Sequence, residues 1–307
     1  MAANNLTNFP GGFPNGATMR GLPVLNTYGG DVFWVDSGAG ANTGKGTFDK
    51  PFATIDYAIG RCTASNGDMI MVKPGHAETL AANITMDVIG VTVYGLGQGT
   101  LRPTITVGAF DGTVAMTAAN SAMYNVRFVL EDTDDTVASA ITITADGCVV
   151  DGCETVVHAT AQFTTHLTAT DAQFVEIRNN KFRSLHTASS TSGVVVDGCD
   201  DLVMVGNTID GHFTEHALDN TTPASADEIL RAYIGYNNII NRSTTAGDLA
   251  VQLDAAATGM FEYNNIVGGL ATTAANYDIG DMASMGSLVA DSVGVDVHGI
   301  ALGTAAV

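Results

Sequence analysis

Four aspartates have the residue type and the spacing of a hydrolytic site. Asp197, Asp200 and Asp201 follow one another closely, and Asp171 lies near enough in the chain to face them across a cleft. Paired carboxylates of this kind act as acid and base in glycoside hydrolysis. Runs of aspartate also form solvated turns, and Gly198 favours that alternative. We therefore predict turns at these positions and assign no catalytic residue.

Two further motifs resemble ligand sites. His212-x-x-x-His216, with Glu215 between the histidines, has the spacing of a zinc-binding pair on a helix. The surrounding segment shows no helical pattern, so we predict no metal site. Gly40-x-x-x-Gly44-Lys45-Gly46 is similar to a phosphate loop, but it lacks the four-residue gap and the Ser or Thr after the lysine. We predict a turn there and no cofactor.

Several tyrosines are placed to contact sugars. Tyr124, Tyr236 and Tyr263 occupy positions that should face solvent, and Tyr236 and Tyr263 lie one sequence repeat apart. Exposed aromatic rings of this kind can stack on sugar rings. The alternative is ordinary aromatic stacking along the face of a sheet. Tyr236 and Tyr263 are therefore candidate contacts for a host glycan.

The four cysteines are Cys62, Cys148, Cys153 and Cys199. They form no CxxC pair and no metal-binding spacing. Cys148 falls in a column of inward-facing apolar residues, which is typical of a small core side chain. We expect free thiols and assembly in a reducing cytoplasm.

The charge balance excludes some partners. The chain has 12 Lys and Arg against 32 Asp and Glu, a formal net charge of −20. Nucleic-acid binding depends on cations that neutralise phosphates, so we expect none. An anionic membrane would also repel the chain, and no segment has transmembrane length. The N-terminus lacks the pattern of a secretory signal.

The elements that must position these residues come from a repeat. Six segments carry a similar five-residue phrase, spaced by 27, 27, 27, 31 and 27 residues, and they end at Phe128, Thr155, Phe182, Ile209, Ile240 and Val267. A fixed period of this length indicates one structural unit stacked on copies of itself. The 31-residue step predicts a four-residue insertion, which we place in the segment His212 to Ala226.

Each aligned column has its own physical character. The second column contains only Asn and Gly, which favour a left-handed corner. The third column predicts a ladder of stacked asparagine amides at Asn180, Asn207, Asn238 and Asn265. The fifth column is mostly large and apolar and should point inward. The first column should face solvent, and it holds Tyr124, Asp151, Arg178, Val205, Tyr236 and Tyr263.

A second, β-branched strand precedes the phrase in each unit, as at Ile141–Ile143 and Val194–Val196. Short strands joined at Asn and Gly corners predict an all-β fold, a right-handed parallel β-helix with rungs of roughly 27 residues. A leucine-rich repeat is the competing architecture. It requires a helical stretch in each unit, and Val156 to Thr168 shows no amphipathic helical stripe.

The sequence divides into three parts. Residues 1–32 form an extended N-terminal arm rich in Asn, Gly and Pro. Residues 33–270 form the β-helix, with a cap at 33–75 that contains a short helix from Pro51 to Arg61. Residues 271–307 are small and apolar, and they form a C-terminal cap or an interaction tail.

The cap resembles that of the pectate-lyase-like right-handed β-helix superfamily. The matching motifs are Trp34-Val35-Asp36, Gly44-x-Gly46-Thr47, Lys50-Pro51-Phe52-x-Thr54-Ile55-x-x-Ala58 and Gly67-Asp68-x-Ile70-x-Val72-x-Pro74-Gly75. With the rungs behind it, the resemblance covers most of residues 33–270 and implies the fold. It also implies a possible carbohydrate-cleaving site, for which Asp146 and Asp151 (calcium) and Arg178 (base) are the candidates. An exposed ion pair between Arg178 and Asp151 is the alternative.

The chain also resembles β-helix structural proteins of tailed bacteriophages. This resemblance depends on Asn-Phe-Pro-Gly-Gly-Phe-Pro-Asn-Gly at Asn8–Gly16, the cap motif and the asparagine rungs. It implies a non-enzymatic virion protein, assembled in the host cytoplasm, that decorates the capsid. Its arm and tail would bind the major capsid protein or other virion proteins, and the chain would assemble as a homotrimer. The alternative is a tail-spike or fibre module that binds or cleaves host polysaccharide, as a lyase or glycoside hydrolase. A cell-surface polysaccharide lyase is disfavoured by the missing signal peptide.

Overall fold

The structure is a computed structural model, and it describes part of the chain. The described residues are 17–19, 22–24, 30–107, 112–131, 136–156, 162–184, 190–220, 228–245, 247–268, 277–291 and 299–300. Most of the predicted arm, including Asn8–Gly16, lies outside them.

The described residues form short β-strands almost throughout. In chain order the first are β1 Ala17–Met19, β2 Leu22–Val24, β3 Val32–Val35, β4 Met69–Val72, β5 Ala77–Thr79, β6 Ile84–Met86, β7 Thr92–Gly95, β8 Thr104–Val107, β9 Val114–Met116 and β10 Ala122–Tyr124. The next are β11 Arg127–Leu130, β12 Thr136–Ile143, β13 Val149–Asp151, β14 Glu154–Thr155, β15 Gln162–Thr170, β16 Glu176–Arg178, β17 Lys181–Ser184, β18 Ser192–Asp197, β19 Val203–Val205 and β20 Thr208–Gly211. The last are β21 Leu218–Asp219, β22 Ala232–Gly235, β23 Asn238–Asn241, β24 Val251–Gln252, β25 Gly259–Glu262, β26 Asn265–Gly268, β27 Tyr277–Asp278, β28 Ala283–Met285, β29 Leu288–Asp291 and β30 Gly299–Ile300. One α-helix, α1 Ile55–Ile59, and one 3₁₀ turn, Gly99–Leu101, complete the described elements.

Three parallel sheets run along the molecule. The first sheet has the order β3-β4-β7-β10-β13-β16-β19-β22-β25-β28, the second β5-β8-β11-β14-β17-β20-β23-β26-β29-β30, and the third β6-β9-β12-β15-β18-β21-β24-β27. Each coil contributes one strand to each sheet and then begins the next rung. The fold is therefore a right-handed parallel β-helix, as the repeat predicts. The described residues contain no outer layer of helices, so the leucine-rich alternative is wrong.

The core is a column of side chains enclosed by the three sheets. Along each strand the side chains alternate between the interior and solvent, as strand geometry requires. One inward column of the second sheet is fully or almost fully buried, and it consists of Phe128, Thr155, Phe182, Ile209, Ile239, Ile266 and Val289. Because similar side chains stack on one another, every rung fills the same cross-section of the core. The burial of these side chains therefore stabilises the repeated structure.

The last two repeat units are shifted by one residue from the sequence alignment. Ile209 pairs with Ile239 rather than Ile240, whereas Ile240 pairs with Val267 as aligned, so the shift arises once, between Ile209 and Ile239. The insertion is therefore three residues instead of four. Ile240 and Val267, predicted to point inward, are only half-buried on the outer side.

The asparagine ladder follows the structural register. It runs through Asn180, Asn207, Asn237 and Asn264, all buried, and each side-chain oxygen accepts from the rung before it. Asn238 and Asn265, predicted for this ladder, lie one residue further on. They contact each other on the outside, where Nδ2 of Asn265 donates to Oδ1 of Asn238 at 2.7 Å.

The helix at the cap is shorter than predicted. It begins after Thr54, whose hydroxyl accepts from the N–H of Tyr57 at 3.3 Å, so Pro51 lies outside it. The carboxylate of Glu78 accepts from the N–H of Ile55 at 3.0 Å and satisfies a second free donor of the first turn. Ile55, Ala58 and Ile59 are buried and join the core at the N-terminal end of the rod.

The rungs continue beyond residue 270, where the sequence phrase stops. β27, β28 and β29 each add a parallel strand to one of the three sheets. β30 then pairs antiparallel with β29, matching Ile300 with Leu288. At the other end, β1 and β2 form an antiparallel hairpin inside the predicted arm.

All four cysteines are free thiols. Cys148 is fully buried, as its column predicts. Cys153 occupies the ladder column, where its backbone N–H donates to Oδ1 of Asn180 at 2.8 Å. Burial raises the pKa of the Cys153 thiol to about 12, so this side chain acts as a core residue.

Candidate functional site

A row of large side chains lies on the outer face of the first sheet. Trp34, Met71, Tyr94 and Tyr124 occupy the same outward position on four successive strands, β3, β4, β7 and β10. We call these four residues, three aromatic residues and one methionine, the aromatic row. Because the strands are parallel and in register, the side chains stand about 4.8 Å apart along the rod.

The two tyrosines of the aromatic row are stacked. The ring centroids of Tyr94 and Tyr124 lie 5.4 Å apart, with the planes tilted by 29°. Tyr94 is 41% exposed. Burial raises the pKa of the Tyr124 hydroxyl, and the charges of Asp151 and Glu176 add to the effect. Tyr124 therefore offers a neutral phenol to a ligand, and the tyrosine hydroxyls of the row can both donate and accept hydrogen bonds.

A second stacked pair lies at the corner after the same sheet. Tyr236 and Tyr263 have ring centroids 5.2 Å apart and planes tilted by 26°. Both residues adopt a left-handed backbone, with φ of 57° and 50°. They occupy the corner position that Gly206 takes in the preceding rung and Gly286 in the following one.

The stacked corner pair lies between two glycine positions, Gly206 and Gly286, and the side chain of Asn179 lies over Gly206. Tyr263 lies over Gly286, because a Cβ added at Gly286 would sit 2.6 Å from its Cε1. Tyr236 stacks on Tyr263, and on its other side stands Gly206, which has no side chain. Tyr236 is 57% exposed and Tyr263 46%. The sequence placed both tyrosines in the column of Tyr124. They lie one residue beyond it, but they are exposed as expected.

Charged residues separate the two tyrosine pairs. Beyond the aromatic row, the same outward position is occupied by Asp151 on β13 and by Arg178 on β16. Arg178 forms its ion pair with Glu176 on its own strand at 2.7 Å, while Asp151 accepts from Nδ2 of Asn179 at 3.0 Å. Asp146 accepts from the N–H of Gln173 at 2.9 Å. Each of these candidate catalytic groups thus has a structural partner.

The predicted aspartate cluster forms corners of the rod. Asp200 and Asp201 bind the guanidinium of Arg231, with Asp201 at 2.7 Å. Asp197 is buried and accepts from Nδ2 of Asn220 at 3.3 Å. Asp171 adopts a left-handed backbone, and its carboxylate lies close to Gly198. The turns that Gly198 favoured are therefore present, and Asp171 and Asp197 do not share the Arg231 partner of Asp200 and Asp201.

The two histidines of the predicted pair have different surroundings, and among the described residues Nδ1 of His212 is buried without a hydrogen-bond partner. Nδ1 of His216 accepts from the N–H of Leu249 at 3.3 Å, and Glu215 is exposed. Among the residues that the structure describes, no three His, Cys, Asp or Glu side chains lie close enough to hold a metal ion. The same residues include no helix with the length and hydropathy to cross a membrane.

Sequence reasoning missed Trp34, Met71 and Tyr94. They belong to early rungs that lack the Asn phrase, so the alignment did not reach them. The signal was nonetheless present, because Val91-Thr92-Val93-Tyr94 alternates as Ala122-Met123-Tyr124 does.

Comparisons with known proteins concern the fold. No family model matches the sequence, and no curated protein matches it. Similar solved structures include a rhamnogalacturonan lyase, with 11% identity, 78% of this chain and 74% of that chain covered, and a TM-score of 0.47. A pectin methylesterase from Aspergillus niger shares 14% identity over 85% of each chain, with a TM-score of 0.49. The Dettilon tailspike protein shares 12% identity over 69% of this chain and 50% of its own, with a TM-score of 0.39.

Proposed function

We propose that this chain is a structural β-helix that contacts an extended glycan along the outer face of its first sheet. The observation that carries the proposal is the aromatic row, with its stacked pair Tyr94–Tyr124, on the same side of the rod as the corner pair Tyr236–Tyr263. Four rungs separate Tyr124 from Tyr236, about 19 Å at 4.8 Å per rung. That span suits a chain of sugars rather than a single one.

The contact is one of binding rather than cleavage. A glycosidase needs two carboxylates placed about the scissile bond, one of them able to carry a proton. Here Asp151 accepts from Asn179, and Glu176 is paired with Arg178. These groups are suited to hydrogen bonds with sugar hydroxyls between the two tyrosine pairs.

The setting we propose is the virion of a tailed bacteriophage, with the rod as a tail-spike or fibre module that meets the polysaccharide of the host surface. The support is the arm sequence at Asn8–Gly16 together with the exposed tyrosines on a rigid rod. A homotrimer is part of this proposal.

The test is affinity electrophoresis of the full chain through gels that contain bacterial capsular polysaccharides, followed by a reducing-end assay. A binding polysaccharide should retard the chain without releasing new reducing ends. Tyr94→Ala and Tyr236→Ala should each weaken binding roughly five- to tenfold, because each removes a stacking surface.

Phe174→Ala is the matched control. Phe174 is 58% exposed but belongs to a turn before β16, away from the tyrosines. Its replacement should leave retardation unchanged. Equal losses in all three variants, or no retardation by any polysaccharide, would contradict the proposal. Release of reducing ends would contradict its non-enzymatic part.

Capsid decoration is the second candidate. The observation that favours it is an apolar surface near the C-terminal end of the described rungs, where Met285 and Leu288 are 47% and 60% exposed. Such an apolar surface is typical of a site that meets a partner protein, here the major capsid protein. A chain that binds no polysaccharide but co-sediments with tailed-phage capsids would favour this function over the first.

A further inference from the structure

A pocket of about 410 Å³ opens at the N-terminal end of the rod. It lies between the loop that follows β3 and helix α1, far along the rod from Tyr236 and Tyr263. Its polar wall contains Asn42, Thr43, Lys45 and Arg61, and its apolar wall includes Phe33 and Tyr57. The volume falls in the range of about 300–1,000 Å³ that is usual for small-molecule sites.

The charge of this pocket is opposite to that of the chain. The net charge is −20, and most described cations form ion pairs, as Lys73, Arg127 and Arg242 do. Lys45 and Arg61 have no carboxylate partner among the described residues, and both line the pocket. Two uncompensated cations in one concave site favour an anionic ligand.

The polar groups of the wall are mainly donors. Oδ1 of Asn42 accepts from the N–H of Ala53 at 3.1 Å, which leaves its Nδ2 to donate into the pocket. The guanidinium of Arg61 lies 4.5 Å from the centroid of the Tyr57 ring, and its Nη2 donates to the Tyr57 hydroxyl. These contacts hold the guanidinium in place, and its remaining N–H groups match the geometry of a carboxylate.

The backbone of the loop argues against a phosphate. A phosphate loop offers a run of free N–H groups to its ligand. Here the N–H of Gly40 donates to Asp36 at 2.7 Å, that of Ala41 to Pro51 at 3.1 Å, and that of Gly44 to Ala41 at 2.7 Å. Recognition must therefore come from side chains.

The apolar wall is suited to a ring. The rings of Phe33 and Phe52 lie 5.8 Å apart, and Tyr57 meets Phe52 edge-on at 5.0 Å. Phe33 and Phe52 form a wall against which a flat or chair-shaped body can pack, and the guanidinium of Arg61 lies beside it over the Tyr57 ring.

We propose that this pocket binds a carboxylate carried on a six-membered ring, either an aromatic acid or a sugar acid. Lys45 and Arg61 bind the carboxylate, Asn42 and Thr43 hydrogen-bond to the ligand, and Phe33 packs against the ring beside the Arg61–Tyr57 pair. The site is independent of the tyrosine pairs, so it stands whether or not the rod binds a polysaccharide.

The test is ligand-observed saturation-transfer NMR, followed by titration calorimetry, with the full chain. The probes are benzoate and glucuronate, with benzamide and glucose as their neutral counterparts. At least one acid should bind at millimolar concentration while its neutral counterpart does not. Benzoate alone identifies the aromatic source, and glucuronate alone the sugar source.

Variants locate the site. Lys45→Ala and Arg61→Gln should each weaken binding about tenfold or more, because each removes a charged hydrogen-bond partner. Lys50→Ala is the control, since Lys50 is an exposed cation of the same loop that does not line the pocket. The proposal is overturned if neither acid binds, if the neutral probes bind equally, or if Lys50→Ala reduces binding as much as Lys45→Ala does.

Discussion

Oδ1 of Asn207 accepts two hydrogen bonds from Asn180, one from its backbone N–H and one from its Nδ2, both at 3.0 Å. Nδ2 of Asn207 in turn donates to the carbonyl of Ile177 at 2.7 Å and to Oδ1 of Asn237 at 2.9 Å. Each amide therefore satisfies backbone groups that the corner leaves without a strand partner. The ladder is a structural requirement of the corner, because these groups are buried from water.

Replacement of Asn207 by alanine should destabilise the rod by about 2–4 kcal/mol. The change leaves the N–H of Asn180 and the carbonyl of Ile177 buried without these partners, and Nδ2 of Asn180 keeps only its bond to the carbonyl of Val150. The measurement is the free energy of unfolding from urea denaturation.

Asn238→Ala is the matched control for this prediction. Asn238 lies one residue after the ladder on the outer side, so its loss should change the free energy by no more than about 0.5 kcal/mol. A loss at Asn238 as large as that at Asn207 would restore the register that the sequence alignment favoured, in which both residues belong to the ladder.

His166 should make stability depend on pH. Its Nδ1 lies 2.8 Å from Oγ1 of Thr155, inside the rod among Phe163, Phe182 and Phe213. Burial lowers the pKa of its imidazole from 6.5 to about 3. Below its unfolded-state pKa, the unfolded chain binds a proton that the folded chain does not. The stability that the neutral ring contributes is therefore complete above about pH 6.5 and declines as the pH falls toward 3.

Urea unfolding near neutral pH and at about pH 5 would measure this effect. The free energy of unfolding should fall by about 2 kcal/mol over that interval, in which ordinary carboxylates titrate little. His166→Gln keeps a hydrogen-bonding group but does not titrate, so its free energy should be nearly flat over the same interval, whatever its absolute stability. An equal slope in both proteins would assign the pH dependence to other groups.

Gly40→Ala should destabilise the cap by about 2 kcal/mol or more. A Cβ at this position would overlap the carbonyl oxygens of Asp36 and Phe52, which are backbone atoms that cannot move independently. Thermal denaturation of the full chain measures the change.

Gly38 provides the comparison two residues earlier. A Cβ at Gly38 meets only the side chain of Asp36, at 3.5 Å, so Gly38→Ala should be close to neutral. If Gly40→Ala and Gly38→Ala lower the melting temperature equally, the close backbone contacts around Gly40 are not the reason for glycine at that position.

The period of the repeat was sufficient to predict the parallel β-helix, but not the register of its last rungs. The phrases at Tyr236 and Tyr263 contain two consecutive asparagines, and either can be aligned with Asn207. Asn adopts positive φ more readily than an aromatic residue does, and this preference favoured the alignment with Asn at the left-handed corner. In the structure, tyrosine takes that corner, and the ladder bonds of Asn237 and Asn264 offset its backbone cost.

The candidate site was only partly predictable for a related reason. Tyr236 and Tyr263 lie in the repeated phrase, whereas Trp34 and Tyr94 lie in rungs whose lengths differ from the period. Their alignment depends on which strands pair across the sheet, as Met71 with Tyr94. Similarly, the polar character of the cap pocket arises from loop and helix residues that meet only after the cap has folded.

The reversed last strand has a consequence for assembly. A row of parallel strands ends in an edge that could template the first coil of another molecule, and repeated templating of this kind produces fibres. β30 meets β29 in the opposite direction, so the hydrogen-bonding pattern at that edge no longer matches an incoming parallel strand. Growth by endless head-to-tail addition is thereby discouraged on this sheet.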